Sequence, residues 1–387
     1  MSVHDPVVIS SYARTPVGSF LGRLSGLKAT ELGAAAVRET VRRAGVDPER
    51  IEQIFMGCVL PAGLGQAPAR QAALSAGLPL GVEATTVNKM CGSGLQAAIL
   101  AADTIAAGSA EIVVAGGMES MSNAPYLLAK HRSGARIGHD RMSDSMYLDG
   151  LEDAYEPGKL MGSFAEDAAR HYQLTRAAQD AFAIESLSRA RAAQASGAFD
   201  KEIVAVAGVT RDEQPERADP ARIPSLKPVF APEGTITAAN ASSISDGAAA
   251  LLITRASTAK TLGLPVVARI VAHAAHAQEP KRFTTAPVPA IRKLLAKAGW
   301  TVADVDLFEI NEAFAVVAMI AMQDLAIPHE RLNVNGGACA LGHPIGASGA
   351  RILATLLAAL DARGLKRGVA SLCIGGGEAV AMAVERM

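Results

Sequence analysis

A chain of 387 residues, half of them apolar, 19% charged and with a formal net charge of −1, has the makeup of a globular protein with a large core. This composition excludes disordered, fibrous and mucin-like classes, and the balanced charge gives no overall drive toward nucleic acid or an anionic membrane. The length suggests two or three domains.

The first residues, Ser2-Val3-His4-Asp5-Pro6, lack the basic region and apolar core of a secretory signal. No run reaches the roughly eighteen apolar residues of a membrane span, so no membrane association and a cytoplasmic protein are expected. In chain order the apolar pattern predicts a strand at residues 7–10, a helix at 30–44, a strand at 54–60, a helix at 95–107 and a strand at 112–115. There follow a helix at 176–196, strands at 249–253, 266–271 and 307–310, helices at 313–324 and 350–360, and a strand at 369–374. Near-continuous apolar strands alternating with alanine-rich helices predict α/β layers with strands buried on both faces.

Three pieces recur in the same order. Ala44-Gly45 and the run from Ile51 to Phe55 match Ala298-Gly299 and the run from Val305 to Phe308. Val87-Asn88 leading to Cys91 matches Val334-Asn335 leading to His343, and Val113 to Glu119 matches Cys373 to Glu378. The expected organisation is a first half at 1–118 and 245–267, an inserted segment at 119–244, and a second half at 268–387. Two related halves joined face to face put their loops on a common seam, where ligand pockets form.

Cys58, Cys91, Cys339 and Cys373 make no disulfide framework and fit no zinc spacing. Any of them can be a small buried hydrophobe, but two have a special setting. Asn88-Lys89-Met90-Cys91-Gly92-Ser93-Gly94 places Cys91 at a strand-to-helix turn, where the helix N-terminus favours thiolate over thiol. Cys373-Ile374-Gly375-Gly376-Gly377 closes an apolar strand with glycines whose N–H groups suit an oxyanion. Gly342-His343-Pro344-Ile345-Gly346 sets a histidine at a loop tip, positioned to act as a base. Asn311-Glu312-Ala313-Phe314 follows a strand, and Asn311 can equally be a helix cap.

These four segments, in this order, resemble the thiolase family over essentially the whole chain. The resemblance implies a five-layered α/β/α/β/α duplicated fold with an inserted loop domain. It implies an acyltransferase that condenses two acetyl-CoA reversibly to acetoacetyl-CoA and CoA; the alternative is cleavage of longer 3-ketoacyl-CoAs in fatty-acid breakdown. Cys91 would accept the acyl group, His343 would activate it, and Cys373 would be the second acid/base. His343 and Asn311, through water, would hold one thioester oxygen, and the N–H groups of Cys91 and Gly375 the other.

The resemblance also assigns CoA to Ser242 and Ala238 in Thr237-Ala238-Ala239-Asn240-Ala241-Ser242, with Phe230 and Phe314 beside them. Arg217 and Arg222 would hold its nucleotide end, although a solvated charged loop is an equal reading of these two. Leu160, Met161 and Phe283 would shape the acyl pocket; Leu160 stands where many thiolases have histidine, and Phe283 where methionine is frequent. No metal or cofactor is implied beyond CoA and acyl-CoA as substrates. The 237–242 motif is like that of a potassium-responsive mitochondrial branch, but Leu187 takes the place of that branch's tyrosine ligand, which puts a potassium requirement in question. A homotetramer, a dimer of dimers joined through the insertion around residues 130–140, is the implied assembly.

Two rival readings share the fold. A decarboxylating ketoacyl synthase pairs its cysteine with two histidines or a His/Asn set, where this chain has Cys373. A non-catalytic acyl-CoA-binding member would have lost Cys91, His343 or Cys373. A Rossmann dinucleotide site is excluded because residues 18–26 do not supply its glycine pattern.

Overall fold

The computed structural model describes residues 5–387, so Ser2, Val3 and His4 of the amino-terminal reading lie outside it. The first half contributes strands β1 (Val7–Arg14) and β2 (Gly18–Ser19), helix α1 (Ala29–Ala44), β3 (Gln53–Gly57), α2 (Pro68–Ala76), β4 (Glu83–Val87), α3 (Ser93–Ala106) and β5 (Ile112–Ser120). An inserted domain follows, with the small hairpin β6 (Tyr126–Leu127) and β7 (Ser143–Asp144) and helices α4 (Met161–His171), α5 (Arg176–Ser196) and α6 (Gln214–Arg217). The chain returns as β8 (Ser245–Arg255) and α7 (Ala256–Leu262). The second half runs β9 (Ala268–Ala277), α8 (Pro287–Ala298), β10 (Leu307–Ile310), α9 (Ala315–Leu325), α10 (Ala338–Leu341), α11 (Ser348–Ala362), β11 (Arg367–Ile374) and β12 (Glu378–Arg386).

The sheet order β10-β11-β12-β9-β1-β8-β5-β3-β4 contains the duplication. Strands β3-β5-β8-β1 and β10-β11-β12-β9 share order and sense: one parallel pair, then antiparallel neighbours. Among the described residues the two half-sheets join only where Val8 and Ile9 pair with Arg269 and Ala268. Helices α3 and α11 lie between them, with Leu95, Ile99, Leu353 and Leu357 packed against Leu251 and Leu372. Helices α1 and α2 cover one outer face and α8 and α9 the other, which completes five layers. Strands buried on both faces, such as β5 and β8, show no alternation in sequence because neither face meets water.

The central helices meet through glycine. A Cβ on Gly94 would lie 2.7 Å from the Ala350 nitrogen, and one on Gly349 would lie 2.2 Å from the Leu95 nitrogen. The equivalent N-termini of α3 and α11 therefore touch backbone to backbone, which brings the loops before them, carrying Cys91 and His343, to one place.

The matched pieces test the repeat. Helices α1 and α8 both end on left-handed glycines, Gly45 at φ 67° and Gly299 at φ 68°. The third match falls on equivalent strands, β5 and β11, but out of register. Pairing with β3 and β10 sets Met118 opposite Cys373 in the repeat, so Gly116 and Gly117 are mid-strand residues and not counterparts of the turn glycines. Strand β4 has no full counterpart. On the edge of β10 the Asn333 side chain stands in for a strand, accepting from the Ile310 N–H and donating to its carbonyl, each at 2.9 Å. The insertion also begins later than residue 119, because Glu119 and Ser120 still pair with Gly247 and Asp246.

One buried ion cluster ties the inserted domain to the sheet. Arg14 of β1 meets Asp212 through two bonds of 2.7 and 2.9 Å and Glu202 at 2.6 Å, and lies over the Phe199 ring. The segment that leads to α6 is fixed by this contact.

Candidate active site

Four loops converge at one end of α3 and α11. Cys91, His343, Cys373 and Gly375 line a cavity of about 400 Å³, whose other walls come from the inserted domain and the 237–244 segment. Sequence reasoning placed the first four in one site, and the structure brings them together.

The nucleophile loop is self-supporting. Asn88 accepts from the Met90 N–H at 3.0 Å, the Lys89 N–H donates to Ser93 Oγ at 2.9 Å, and that hydroxyl donates to the Met90 carbonyl at 2.6 Å. Met90 is held left-handed at φ 46°, an unfavourable conformation for a side chain of its size. Gly92 beside it packs closely on the oxyanion-loop strand, since a Cβ there would lie 2.4 Å from Ile374 Cδ1. Lys89 pairs with Glu378, linking the cysteine loop to the Gly375–Gly377 turn. In that turn Gly376 and Gly377 are left-handed at φ 91° and 88°, which only glycine adopts without cost.

His343 is fixed from both sides. Its Nδ1 meets Ser348 Oγ at 2.5 Å, and that hydroxyl donates to the Pro344 carbonyl at 2.9 Å. A hydroxyl whose proton is committed elsewhere accepts, so Nδ1 carries the imidazole proton and Nε2 presents a lone pair. Asn311 Nδ2 lies 3.4 Å from that Nε2. Asn311 is buried behind His343 and is not the cap of α9, whose N-cap is Phe314.

Charge in this site is set by burial. Desolvation pushes the Cys91 thiol up to about 11, with Glu119 adding to the rise and the N–H groups of Gly375 and of Cys91 itself pulling the other way. Desolvation also holds the Cys373 thiol well above its ordinary value, and the neighbouring Cys91 adds to this. The same cause, with Arg351 second, brings His343 down to about 3. Burial thus favours a neutral thiol beside a neutral imidazole, against the thiolate that a helix start favours. The physical reason is that the first N–H groups of the α3 turn are already used, Gly92 donating to Lys89 and Ser93 to Met90. What remains of the helix dipole does not offset the lost hydration.

Leu160 and Met161 enter the cavity from the start of α4, with Phe230, Ala238, Ser242, Phe283 and Phe314 around it. Phe314 makes edge contacts with Phe230 and Phe283, at centroid separations of 6.0 and 6.4 Å. Gly162 leaves room for Phe230, since a Cβ there would come within 2.3 Å of its ring. Ser242 is held to the Asn311 loop: its N–H donates to Ala313, and the Ala315 N–H donates to Asn240. Arg217 lines an adjoining pocket and pairs with Glu213 at 3.2 Å. Arg222 is exposed and lines neither space. Leu187 packs among Ala190, Phe199 and Leu341 and offers no oxygen to a cation.

Four contributors escaped the sequence. Ser348 lies inside the glycine-rich His343 segment, but nothing in its pattern marks it as the imidazole's partner. Glu119 was read only as the end of a repeat and the start of the insertion. Buried, it accepts from the N–H groups of Val59, Leu60 and Gly346, at 2.9, 3.1 and 2.9 Å, and so joins loops of both halves beside Cys91. Tyr147 and Leu151, which bound a π-helical turn, complete the wall with Ile345.

Residues 7–257 match the family described as "Thiolase, N-terminal domain", and residues 264–386 match "Thiolase, C-terminal domain". The chain is 50% identical over 390 residues to the acetyl-CoA acetyltransferase of Cupriavidus necator, covering 98% of this chain and 99% of that protein. It is 48% identical over 395 residues to the acetyl-CoA acetyltransferase of Schizosaccharomyces pombe, covering 100% of both. A crystal structure of the Acat5 thiolase from Ascaris suum in complex with coenzyme A has a TM-score of 0.95 and 41% identity, covering 99% of this chain and 100% of that one.

Proposed function

The chain belongs to the thiolase family, and from that premise we propose that it is an acetyl-CoA C-acetyltransferase, condensing two acetyl-CoA reversibly to acetoacetyl-CoA and CoA. The observation that carries this reading is the convergence of Cys91, His343, Cys373 and Gly375 on one cavity. In the first half-reaction His343 Nε2 takes the Cys91 proton as the sulfur attacks the thioester carbonyl. The N–H groups of Cys91 and Gly375, which favour charge on this sulfur, would meet the oxyanion that forms beside it. His343 returns the proton to the departing CoA thiolate, leaving acetyl-Cys91. A second acetyl-CoA then loses an α-proton to Cys373, whose own proton passes to His343. The enolate attacks acetyl-Cys91, and the released Cys91 thiolate regains a proton. Protonated His343, backed by Asn311, holds the enolate oxygen.

Burial suits this scheme. Thiols that are neutral at rest do not react with stray electrophiles, and charge forms only when a substrate closes the cavity. Coenzyme A fits a pantetheine path past Ser242 and Ala238, and Arg217 at the adjoining pocket suits the nucleotide end. Arg222 would take part only as a surface charge. Phe283, buried against Phe314, closes the acyl end and favours a short chain. Potassium finds no oxygen at Leu187, so no step is assigned to it.

The proposed setting is the cytoplasm, within fatty-acid metabolism. Among the described residues no helix is long and apolar enough to cross a membrane, and all four cysteines are unpaired. A homotetramer is proposed because β4 is an open sheet edge and Tyr126, Ile137 and Met142 of the insertion expose apolar surface.

Turnover with 3-ketoacyl-CoAs of graded length tests the function. Acetoacetyl-CoA should exceed 3-ketohexanoyl-CoA by about tenfold or more; the reverse order would assign the chain to longer substrates. Light scattering tests the assembly, and a monomer at micromolar concentration would overturn it.

A further inference from the structure

Arg351 is 2% exposed, on the first turns of α11, and its guanidinium faces the catalytic loops from inside the protein. Its Nη2 lies 3.5 Å from Asn311 Oδ1, and its Nη1 lies 3.7 Å from Glu309. The other charges around it are Glu312, Glu202 of the insertion and Arg14 of β1. Its Nε and Nη1 make no hydrogen bond, so the guanidinium keeps donors in reserve around this contact.

A guanidinium only donates. Whichever amide atom of Asn311 faces Arg351 must therefore be the oxygen, which turns Nδ2 toward His343 Nε2. We infer that Arg351 sets the direction of one hydrogen-bond chain, from Arg351 to Asn311 to His343 to Ser348 to the Pro344 carbonyl, and is thereby a positioning residue for acyl transfer. Every link donates the same way, and the chain ends on a carbonyl that cannot donate. Both ends lie on or next to the first turn of α11, so one helix N-terminus holds both ends of the chain. Reversal of the Asn311 amide would present an oxygen to Nε2, removing the donor partner of the base and repelling its lone pair. The links are long, 3.4 and 3.5 Å, so Nε2 can give up its Asn311 donor when it takes the Cys91 proton.

This inference rests on His343 acting as the base, which His343→Asn tests separately: retained acetylation of Cys91 would remove that premise whatever Arg351 does. The test of Arg351 is a thermodynamic cycle on the full chain. Arg351→Gln is paired with Glu309→Gln so that no buried charge is left alone, and the pair is placed on wild type and on Asn311→Ala. On wild type the pair should lower kcat for acetyl transfer about 10- to 100-fold with KM nearly unchanged. On Asn311→Ala it should cost less than about twofold more. The acid limb of the pH profile should move upward, because the charge that disfavours imidazolium is gone. An equal loss in both backgrounds, or wild-type kcat, overturns the inference. If the pair does not fold, Arg351→Lys keeps the charge but shortens the donor: kcat should fall with the acid limb in place, and an unaltered kcat overturns it.

Discussion

His343 Nδ1 donates to Ser348 Oγ across 2.5 Å, and both side chains are buried. The hydroxyl is the acceptor in this contact, so it favours the tautomer whose Nε2 is unprotonated. Ser348→Ala removes that choice and leaves the rest of the loop in place. Acetylation of Cys91 should slow on the order of tenfold to a hundredfold, a fraction of what a positioned base supplies. Single-turnover release of CoA from acetyl-CoA measures it, and a wild-type rate would show that the imidazole is oriented by something else.

The neutral imidazole has a consequence for stability. Its pKa falls from 6.5 to about 3 on folding. Between those values the unfolded chain binds a proton that the folded chain does not. The stability contributed by this group is therefore whole above pH 6.5 and is lost as pH falls, by up to about 1.4 kcal/mol per pH unit. Glu119 and Glu309, raised by burial from 4.5 to about 7 and about 8, act in the opposite sense and lose their contribution as pH rises through that window. Subtraction isolates the histidine. The unfolding free energy of wild type minus that of His343→Asn should climb with pH from about 4 to about 6.5 and then level off. A difference independent of pH would mean that His343 is not held neutral.

Arg14 is the anchor of the inserted domain, with its guanidinium shared between Asp212 and Glu202 at zero side-chain exposure. Removing it strands two buried carboxylates, which costs about 3–5 kcal/mol for broken buried pairs. Arg14→Met should lower the urea midpoint accordingly and loosen the segment that carries Arg217 and the Phe230 wall. Hydrogen exchange localises the effect: protection should drop in residues 199–230 before it drops in the central helices, and a uniform loss would show that the cluster does not act as a local anchor.

The parts of this architecture legible in the sequence are those where one physical signal dominates. Helix α5 is an example: a threonine cap at Thr175 and a left-handed Gly197 bound it at the residues expected. Strand β12 was missed because Glu378–Arg386 is alanine-rich and buried on both faces, with nothing to alternate. Helices α2 and α8 open on proline, which hides a helix start as readily as it marks one. In the site, Cys91, His343 and Cys373 were legible because each sits beside glycines. Ser348, Arg351 and Glu119 were not, because their roles arise from contacts across the two halves. For Cys91 a local helix start favours thiolate, while burial in the packed site opposes it.

The two reactive cysteines divide the chemistry by bond type. Cys91 must act in every acyl transfer, because it holds the acyl group. Cys373 is required only when a C–H bond of the acetyl methyl is made or broken. It is the next-to-last residue of β11, just before the Gly375 turn, buried and beside Cys91. An α-proton of a thioester is weakly acidic, so its removal needs both a nearby base and a stabilised enolate oxygen. Cys373→Ser should therefore still take acetyl from acetyl-CoA, with the added mass on the Cys91 peptide, while Cys91→Ser should not. The same Cys373→Ser protein should lose condensation, and exchange of the acetyl methyl protons with deuterated water, by roughly a hundredfold to ten-thousandfold. Exchange at the wild-type rate would transfer the role of α-carbon base to His343, which lines the same cavity with Nε2 unprotonated.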